Sequence, residues 1–353
     1  MKINTIQIEN FRNLESVFFK PNPVINFIIG NNGAGKTSIL ESIVVLSRGR
    51  SFRTPHASEL VGPVKSTFNV FSETEKDGGE CNRLGLERSG KHWRARKNGQ
   101  DLPQISQLTR SLPLVLMEPN SHLLVSGAPE VRRRFLDWGV FHVEQEFLGV
   151  WRNYSKTLRQ RNAALRQGRI DVIESMDEIL FQLGSKLSQL REAYSKSISR
   201  ETQSIISKLS DGLNDITFEY HNGWGSGSYR NALSKWRERD LERGATSQGP
   251  HRADLVLMKG NAYAKAVLSR GEQKILSAAL LLAQAEFLKS RGEAPIVLLD
   301  DLASEFDSIH FNRVLVKFLE TEGQVWVTGT RKPEFSGPCT VFHVEHGTVR
   351  EMI

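Results

Sequence analysis

This 353-residue sequence has only two cysteines, Cys81 and Cys339, far from each other and outside any metal-ligand spacing. That gives no basis for a disulfide framework or a zinc site, and a cytoplasmic chain is expected. Long apolar runs are missing too; none approaches the roughly 20 residues that a membrane helix needs. The opening residues Met1-Lys2-Ile3-Asn4-Thr5-Ile6-Gln7-Ile8 alternate like a strand and lack the continuous apolar centre of a signal peptide. From Ser121 to Ser210 there is one proline, Pro129, and few glycines, which reads as helix. No heptad array is sustained there, so the helices form a compact insertion rather than a long coiled-coil arm. Acidic excess is absent: the net charge is +7, which favours a polyanionic partner.

What is present begins with Gly30-Asn31-Asn32-Gly33-Ala34-Gly35-Lys36-Thr37. It follows the apolar run Val24–Ile29 and precedes a helical pattern from Ser38 to Leu46. Strand, glycine-rich loop fitting G-x-x-x-x-G-K-[ST], and helix together make a phosphate-binding loop. The glycines let backbone N–H groups turn inward toward phosphate oxygens. The helix N-terminus and Lys36 supply positive charge, and Thr37 offers a hydroxyl to Mg²⁺. ATP and Mg²⁺ are the expected ligands.

Ahead of that loop the chain reads as two strands, Ile3–Ile8 and Val24–Ile29, with a bend at residues 10–14. Arg12 in the bend is placed to reach the nucleotide or to be an ordinary surface arginine. Downstream, a β-rich region runs to about Leu116. There the Asn98-Gly99 pair signals a hairpin presenting His92, Trp93, Arg94, Arg96 and Lys97. Between Arg83 and Lys97 six basic residues face one acidic residue. Such a ribbon suits a DNA backbone, and equally a solvated edge protected against aggregation. A second cluster, Glu130 to Arg169, holds nine basic residues against four acidic ones. The break at Gln167-Gly168-Arg169 joins two antiparallel helices. Ile216–Tyr220 reads as a strand returning to the sheet, and the glycine-rich loop from His221 to Ser228 as a connection without a phosphate fingerprint.

Pro295-Ile296-Val297-Leu298-Leu299-Asp300-Asp301 is a buried strand ending in two carboxylates. Asp300 is assigned to the metal and Asp301 to the attacking water. Ser269 and Glu272 form a capping box at the start of the most apolar helix, Ile275 to Leu288. Gly271 leaves backbone N–H groups of that helix open to an anion. A second anion-binding helix end has a use if two copies face each other, each closing over the partner's ATP. Ser269, Arg270, Gly271, Glu272 and Gln273 are therefore candidate nucleotide contacts across a homodimer. Gln324–Thr328 is read as the closing strand.

The P-loop, Leu268-Ser269-Arg270-Gly271-Glu272-Gln273-Lys274, Leu298-Leu299-Asp300-Asp301 and Ser304-Glu305-Phe306-Asp307 resemble the Walker A, signature, Walker B and D-loop motifs of ABC-type ATPases. Within that superfamily the chain resembles the RecF family of recombination mediators, which are related to chromosome-maintenance heads. Gly49–Thr54, Tyr154 with Leu158–Asn162, and Gly249-Pro250-His251-Arg252 carry the likeness from end to end. The family usually has glutamine at the position of Glu272 and a second acidic residue at that of Ala253.

The resemblance implies an α/β ABC-type ATPase head of mixed sheet, residues 1-120 and 215-353, with a helical insertion at 121-214. It implies an ATP-bridged dimer that binds DNA, including gapped DNA, and works with RecR and RecO in loading RecA. Lys36 and Asp301 then carry a weak ATPase. Asp301 stands where many ABC ATPases have glutamate, and its shorter side chain suits slow hydrolysis that times a state. Thr328 occupies the position of a γ-phosphate-sensing histidine. An ABC transporter's ATPase subunit, the alternative, shares the nucleotide motifs but does not predict the basic helical insertion. A P-loop small-molecule kinase predicts no signature helix.

Overall fold

The computed structural model describes residues 1–332 and 334–352. From the N-terminus come strands β1 (Lys2–Phe11), β2 (Leu14–Phe19) and β3 (Ile25–Ile29), then helix α1 (Lys36–Arg48). Strands β4 (Thr67–Glu75), β5 (Cys81–Ser89), β6 (His92–Lys97) and β7 (Gln100–Leu102), helix α2 (Ser106–Ser111) and strand β8 (Leu114–Met117) follow. A helical run comprises α3 (Leu123–Ser126), α4 (Pro129–Val143), α5 (Phe147–Gln167) and α6 (Ile170–Leu209). Then come β9 (Ile216–His221), α7 (Tyr229–Lys235), α8 (Arg237–Arg243), β10 (Asp254–Lys259), β11 (Ala262–Tyr263) and α9 (Ala264–Val267). The chain ends with α10 (Arg270–Lys289), β12 (Ile296–Leu299), α11 (Leu302–Glu305), α12 (Ser308–Glu320), β13 (Val325–Gly329), β14 (Thr340–Glu345) and β15 (Thr348–Met352). By their contacts these elements form two compact units, residues 1–121 with 278–353, and residues 122–277.

The first unit holds two six-stranded sheets. One, in the order β15-β14-β3-β13-β12-β8, is parallel except for the β14–β15 hairpin. Its strands β12 and β13 are buried at every residue, as a parallel sheet covered on both faces requires. The other sheet, β2-β1-β4-β5-β6-β7, is antiparallel, and β4 alternates between buried and half-buried positions because only one face meets the core. Helix α1 contributes Ile39, Leu40, Ile43, Val44, Val45 and Leu46 to a core shared with Ile6, Ile8, Phe68, Leu86, Leu298 and Trp326. Because it is buried almost all round, α1 reads as an apolar segment rather than an amphipathic one.

Four expectations change here. Leu14–Phe19 is a strand, antiparallel to β1, not part of a simple bend. The turn between them is tight, with Asn10 and Arg12 at φ 50° and 55°. β13 does not close the sheet: it lies between β3 and β12, and the chain continues through β14 and β15. β9 is a strand but pairs with β10 in a separate three-stranded sheet of the second unit. The Asn98-Gly99 turn joins β6 and β7, and the basic residues run along β6 rather than gathering at its tip. Asp101 binds both Arg94 and Arg96, and Trp93 packs edge-on against Phe68, at 5.8 Å between ring centroids.

In the second unit α5 ends at Gly168, whose φ of 65° terminates the helix, and the 40-residue α6 runs back along it. Buried arginines hold this unit together. Arg161, with no exposed side-chain surface, donates to Asp177 at 2.6 Å and to Asp240 at 2.7 Å. Arg132 grips Asp254, and Arg191 grips Asp137 and the Pro250 carbonyl. Two stretches that carried the family likeness meet here: the Tyr154 hydroxyl lies 2.7 Å from His251 Nδ1. Burial pushes the Tyr154 hydroxyl up to about 12 and drives the His251 imidazole down to about 4, so both stay neutral near pH 7. Part of the basic excess between residues 130 and 169 is therefore structural.

Removing one member of a buried ion pair strands its partners. Arg161→Ala leaves Asp240 without its counter-ion and Asp177 with Arg237 alone, and should cost about 3–5 kcal/mol. Urea unfolding monitored by far-UV circular dichroism measures this; a loss below about 1 kcal/mol would contradict the structural role.

Candidate functional site

The parallel pairing of β3, β13, β12 and β8 brings the carboxyl ends of four strands to one edge of the first unit. Leu299 is opposite Val327 on one side and Met117 on the other, and Gly329 is opposite Ile29. The residues just beyond, or at, those ends are the Gly30 loop, Thr328, Asp300 and Glu118. Open α/β sheets bind ligands at such an edge.

The loop curls as expected, with Gly30, Gly33 and Gly35 at φ 155°, 79° and 118°. A side chain at Gly30 would meet the Val344 carbonyl oxygen at 2.3 Å. One at Gly35 would meet Leu14 and Asn13 at about 3 Å. Between them lie Asn31, Asn32 and Ala34, whose N–H donates to the Asn31 carbonyl at 3.2 Å. Lys36 Nζ reaches back across the loop to the carbonyls of Gly30 at 2.8 Å and Asn31 at 2.9 Å. No side chain caps the N-terminus of α1, so its first N–H groups are left to an anion. Burial lowers the Lys36 ammonium's pKa, against the opposing pull of Asp301 and Asp300.

Asp300 is the hub of the site. Thr37 Oγ1 donates to its Oδ1 at 3.0 Å, and Thr328 Oγ1 donates to the same oxygen at 2.7 Å. That leaves Oδ2 for a further ligand. Burial raises the Asp300 carboxyl's pKa while the two hydroxyl bonds lower it. A carboxylate oxygen and a hydroxyl this close are a hard-oxygen donor pair that fits Mg²⁺. Asp301 adopts a left-handed conformation, φ 51°, and its N–H donates to Thr328 Oγ1 at 2.8 Å. Its carboxylate accepts a 2.7 Å bond from Ser304 Oγ.

The remaining candidates lie in the second unit. Ser269 N–H donates to Glu272 Oε2 at 2.8 Å, and Glu272 N–H to Ser269 Oγ at 3.3 Å, a reciprocal capping box. Those bonds, first of all, hold the Glu272 carboxyl's pKa below its usual range. Ser269, Arg270 and Gly271 are exposed, and nothing lies within 4 Å of where a Gly271 side chain would start. Gln273 is buried, its amide donating to the Leu268 carbonyl at 2.9 Å.

Three residues escaped the sequence reading. Asn13 staples the loop, donating to the Gly33 carbonyl at 3.2 Å and accepting from Ser38 Oγ at 2.8 Å. Glu41, fully buried on α1, receives Arg12 at 2.7 and 3.0 Å, Ser51 Oγ at 2.5 Å and Arg53 at 3.3 Å. Arg12 thus bolts the β1–β2 turn to α1, and the family stretch Gly49–Thr54 is tied to the same carboxylate. Glu118 follows β8 as Asp300 follows β12, and the Asp300 N–H donates to the Met117 carbonyl. Burial, then the neighbouring Asp300, push its carboxyl up to about 7. A strand ending in a carboxylate, Leu114–Glu118, was the available signal; Asn13 and Glu41 had none.

A model of the RecF/RecN/SMC N terminal domain matches residues 2–350. The chain belongs to the RecF family. Its relatives include the DNA replication and repair protein RecF of Stenotrophomonas maltophilia (strain R551-3), 39% identical over 99% of both chains. That of Pseudomonas fluorescens (strain Pf0-1) is 37% identical over 99% of this chain and 98% of its own. Among solved structures, the recombination mediator protein RecF-ATP of the RecFOR pathway superposes on this RecF-family chain with a TM-score of 0.90. It is 26% identical, and the match covers 100% of this chain and 98% of that one. The Pyrococcus furiosus Smc head domain, 15% identical with a TM-score of 0.61 over 99% and 96%, shares the fold. The fold is the ABC-type ATPase head expected, and family membership displaces the transporter alternative. Among the described residues no helix is long and apolar enough to cross a membrane.

Glu118 gives the site a pH signature. A carboxyl whose folded pKa is raised binds a proton the unfolded chain has released, so its stabilisation is full below about 4.5 and is lost as pH rises through about 7. Without nucleotide, Glu118→Gln should lose about 2 kcal/mol less stability than wild type between pH 5 and 8. Urea midpoints across that range measure it; parallel curves would refute the raised pKa.

Proposed function

We propose that this protein is an ATP-gated DNA-binding protein of replication and recombinational repair. The observation that carries the reading is the shared strand edge, where the Gly30–Thr37 loop and Asp300 are joined through Thr37. Relatives named DNA replication and repair protein RecF, and a RecF-ATP structure of similar shape, support it.

ATP binds with its phosphates against Gly30, Asn31, Asn32, Gly33, Ala34, Gly35, Lys36 and Thr37. Lys36 exchanges its two carbonyl partners for phosphate oxygens, which its charge favours. Thr37 and Asp300 hold Mg²⁺, and Thr328 fixes the Asp300 carboxylate. Bound there, Mg²⁺ would offset the charge of the phosphate oxygens. Asp301 orients the water that attacks the γ-phosphorus. Its carboxylate is shared with Ser304 and one methylene shorter than glutamate, so hydrolysis is slow and serves as a timer.

Ser269, Arg270, Gly271, Glu272 and Gln273 form the other half of a composite site, offered to the ATP of a second copy. The homodimer held by two ATP molecules grips duplex or gapped DNA through phosphates, and hydrolysis releases it. The first unit carries the nucleotide chemistry and the second much of the DNA surface. Cooperation with RecR and RecO in loading RecA is part of the same proposal.

Lys36→Met should weaken ATP binding about 30- to 150-fold, the loss of a charge-assisted contact of roughly 2–3 kcal/mol. It should neither dimerise nor gain DNA affinity when ATP is added. Sedimentation velocity and duplex binding, each with and without ATP, measure both effects. A wild-type protein that stays monomeric in ATP, or binds DNA indifferently to nucleotide and salt, would sink the reading. Ser269→Arg should remain monomeric in ATP while binding ATP as wild type does; an ATP-induced dimer of that variant would remove the signature segment from the interface.

A further inference from the structure

Several arginines of the second unit are matched with carboxylates. Arg132, Arg161 and Arg191 are buried in ion pairs, and on the surface Arg230 pairs with Glu178 and Arg237 with Glu174. Three others lie together. Arg239, Arg243 and Arg252 are exposed and, among the described residues, no carboxylate pairs with them. All three line one open pocket of about 460 Å³, together with Trp236 and Gly223. No acidic side chain contributes to its walls.

The pocket is built rather than incidental. Arg239 and Arg243 are one turn apart on α8, so they project from the same face. The helix is fixed by Asp240, which accepts from Arg161 Nη1 at 2.7 Å and from Ser247 N–H at 2.9 Å. Arg252 sits on a turn whose N–H bonds run from Arg252 to Gly249 at 2.8 Å and from Gly249 to Gly223 at 3.0 Å. Gly223, at φ 91°, lies so close to that turn that a side chain would meet the Gly249 carbonyl oxygen at 2.2 Å. The Arg239 guanidinium stands 4.9 Å from the centre of the Trp236 ring, over an aromatic surface that can also face a base. Three cations held together without counter-ions repel one another, a cost relieved when a ligand brings negative charge.

The charge continues beyond the pocket. Arg166 Nη1 donates to the carbonyl of Gly244, the residue after Arg243. From Arg166 the exposed residues Arg159, Lys156 and Arg152 follow at spacings of seven, three and four, all on one face of α5. Fourteen residues of helix span about 21 Å, the rise of about six base pairs. A free anion needs only the pocket; a line of charge this long fits a polymer.

We propose that the Arg239–Arg243–Arg252 pocket, continued along α5, binds the phosphodiester backbone of nucleic acid. This rests on the DNA-binding reading above and names where in the second unit DNA is held.

The test is the salt dependence of duplex binding, in ATP, by wild type and the double variant Arg239→Ala/Arg243→Ala. Loss of two phosphate contacts should reduce the slope of log K against log salt by about 2 and weaken binding by about tenfold or more at physiological salt. Both residues are exposed, so the unfolding midpoint should be unchanged, and ATP affinity of the isolated subunit should also be unchanged. Arg239→Lys/Arg243→Lys, which keeps the charges, should restore the slope. A wild-type slope and affinity in the alanine variant overturn the pocket alone; wild-type protein that never binds DNA overturns the pocket and the functional reading together. If the alanine variant loses binding of inorganic phosphate but not of DNA, the pocket serves a small anion and the proposal falls.

Discussion

In-register parallel pairing of β3, β13, β12 and β8 is the constraint on which the rest of the first unit depends. Parallel strands all finish at the same edge, so residues up to 300 positions apart in sequence converge without any further device. The pairing demands cover on both faces, and α1 supplies part of it while projecting its N-terminus at that edge. A shift of one residue in β12 would turn Asp300 to the other face of the sheet, away from Thr37. Position in the site is therefore set by backbone hydrogen bonds far stiffer than any side chain.

The candidate metal and nucleotide residues were legible because each sits next to a strong local pattern. Gly30–Thr37 is bracketed by a strand and a helix, and Asp300-Asp301 ends an apolar strand. Ser269 and Glu272 were legible as a cap for the same reason: a reciprocal pair three residues apart needs only the sequence to be seen. The exposure of Ser269, Arg270 and Gly271 agrees with a segment offered to something outside the subunit.

What escaped was long-range and polar. Asn13 and Glu41 act on partners brought close by the fold, and nothing in their neighbours announces it. Net charge misled locally. Arg132 and Arg161 count toward a basic cluster in sequence, yet Asp254, Asp177 and Asp240, distant in the chain, neutralise them inside the second unit. Basic composition thus mixes arginines that hold the fold with those that face solvent, and only the pairing separates them. β2 was missed because Glu15 and Ser16, adjacent and both exposed, interrupt the alternation of Leu14–Phe19.

The two carbonyl bonds made by Lys36 Nζ have a consequence for how a ligand arrives. Together with the Asn13 staple they hold the Gly30–Gly35 loop in its curled form through bonds made within the chain itself. Binding then exchanges one set of polar contacts for another and immobilises little new backbone. Preorganisation of this kind lowers the entropic cost of association and lets more of the contact energy appear as affinity. The same rigidity means that the phosphates find a socket of fixed shape, so conformational response to the ligand must come from elsewhere than the loop itself.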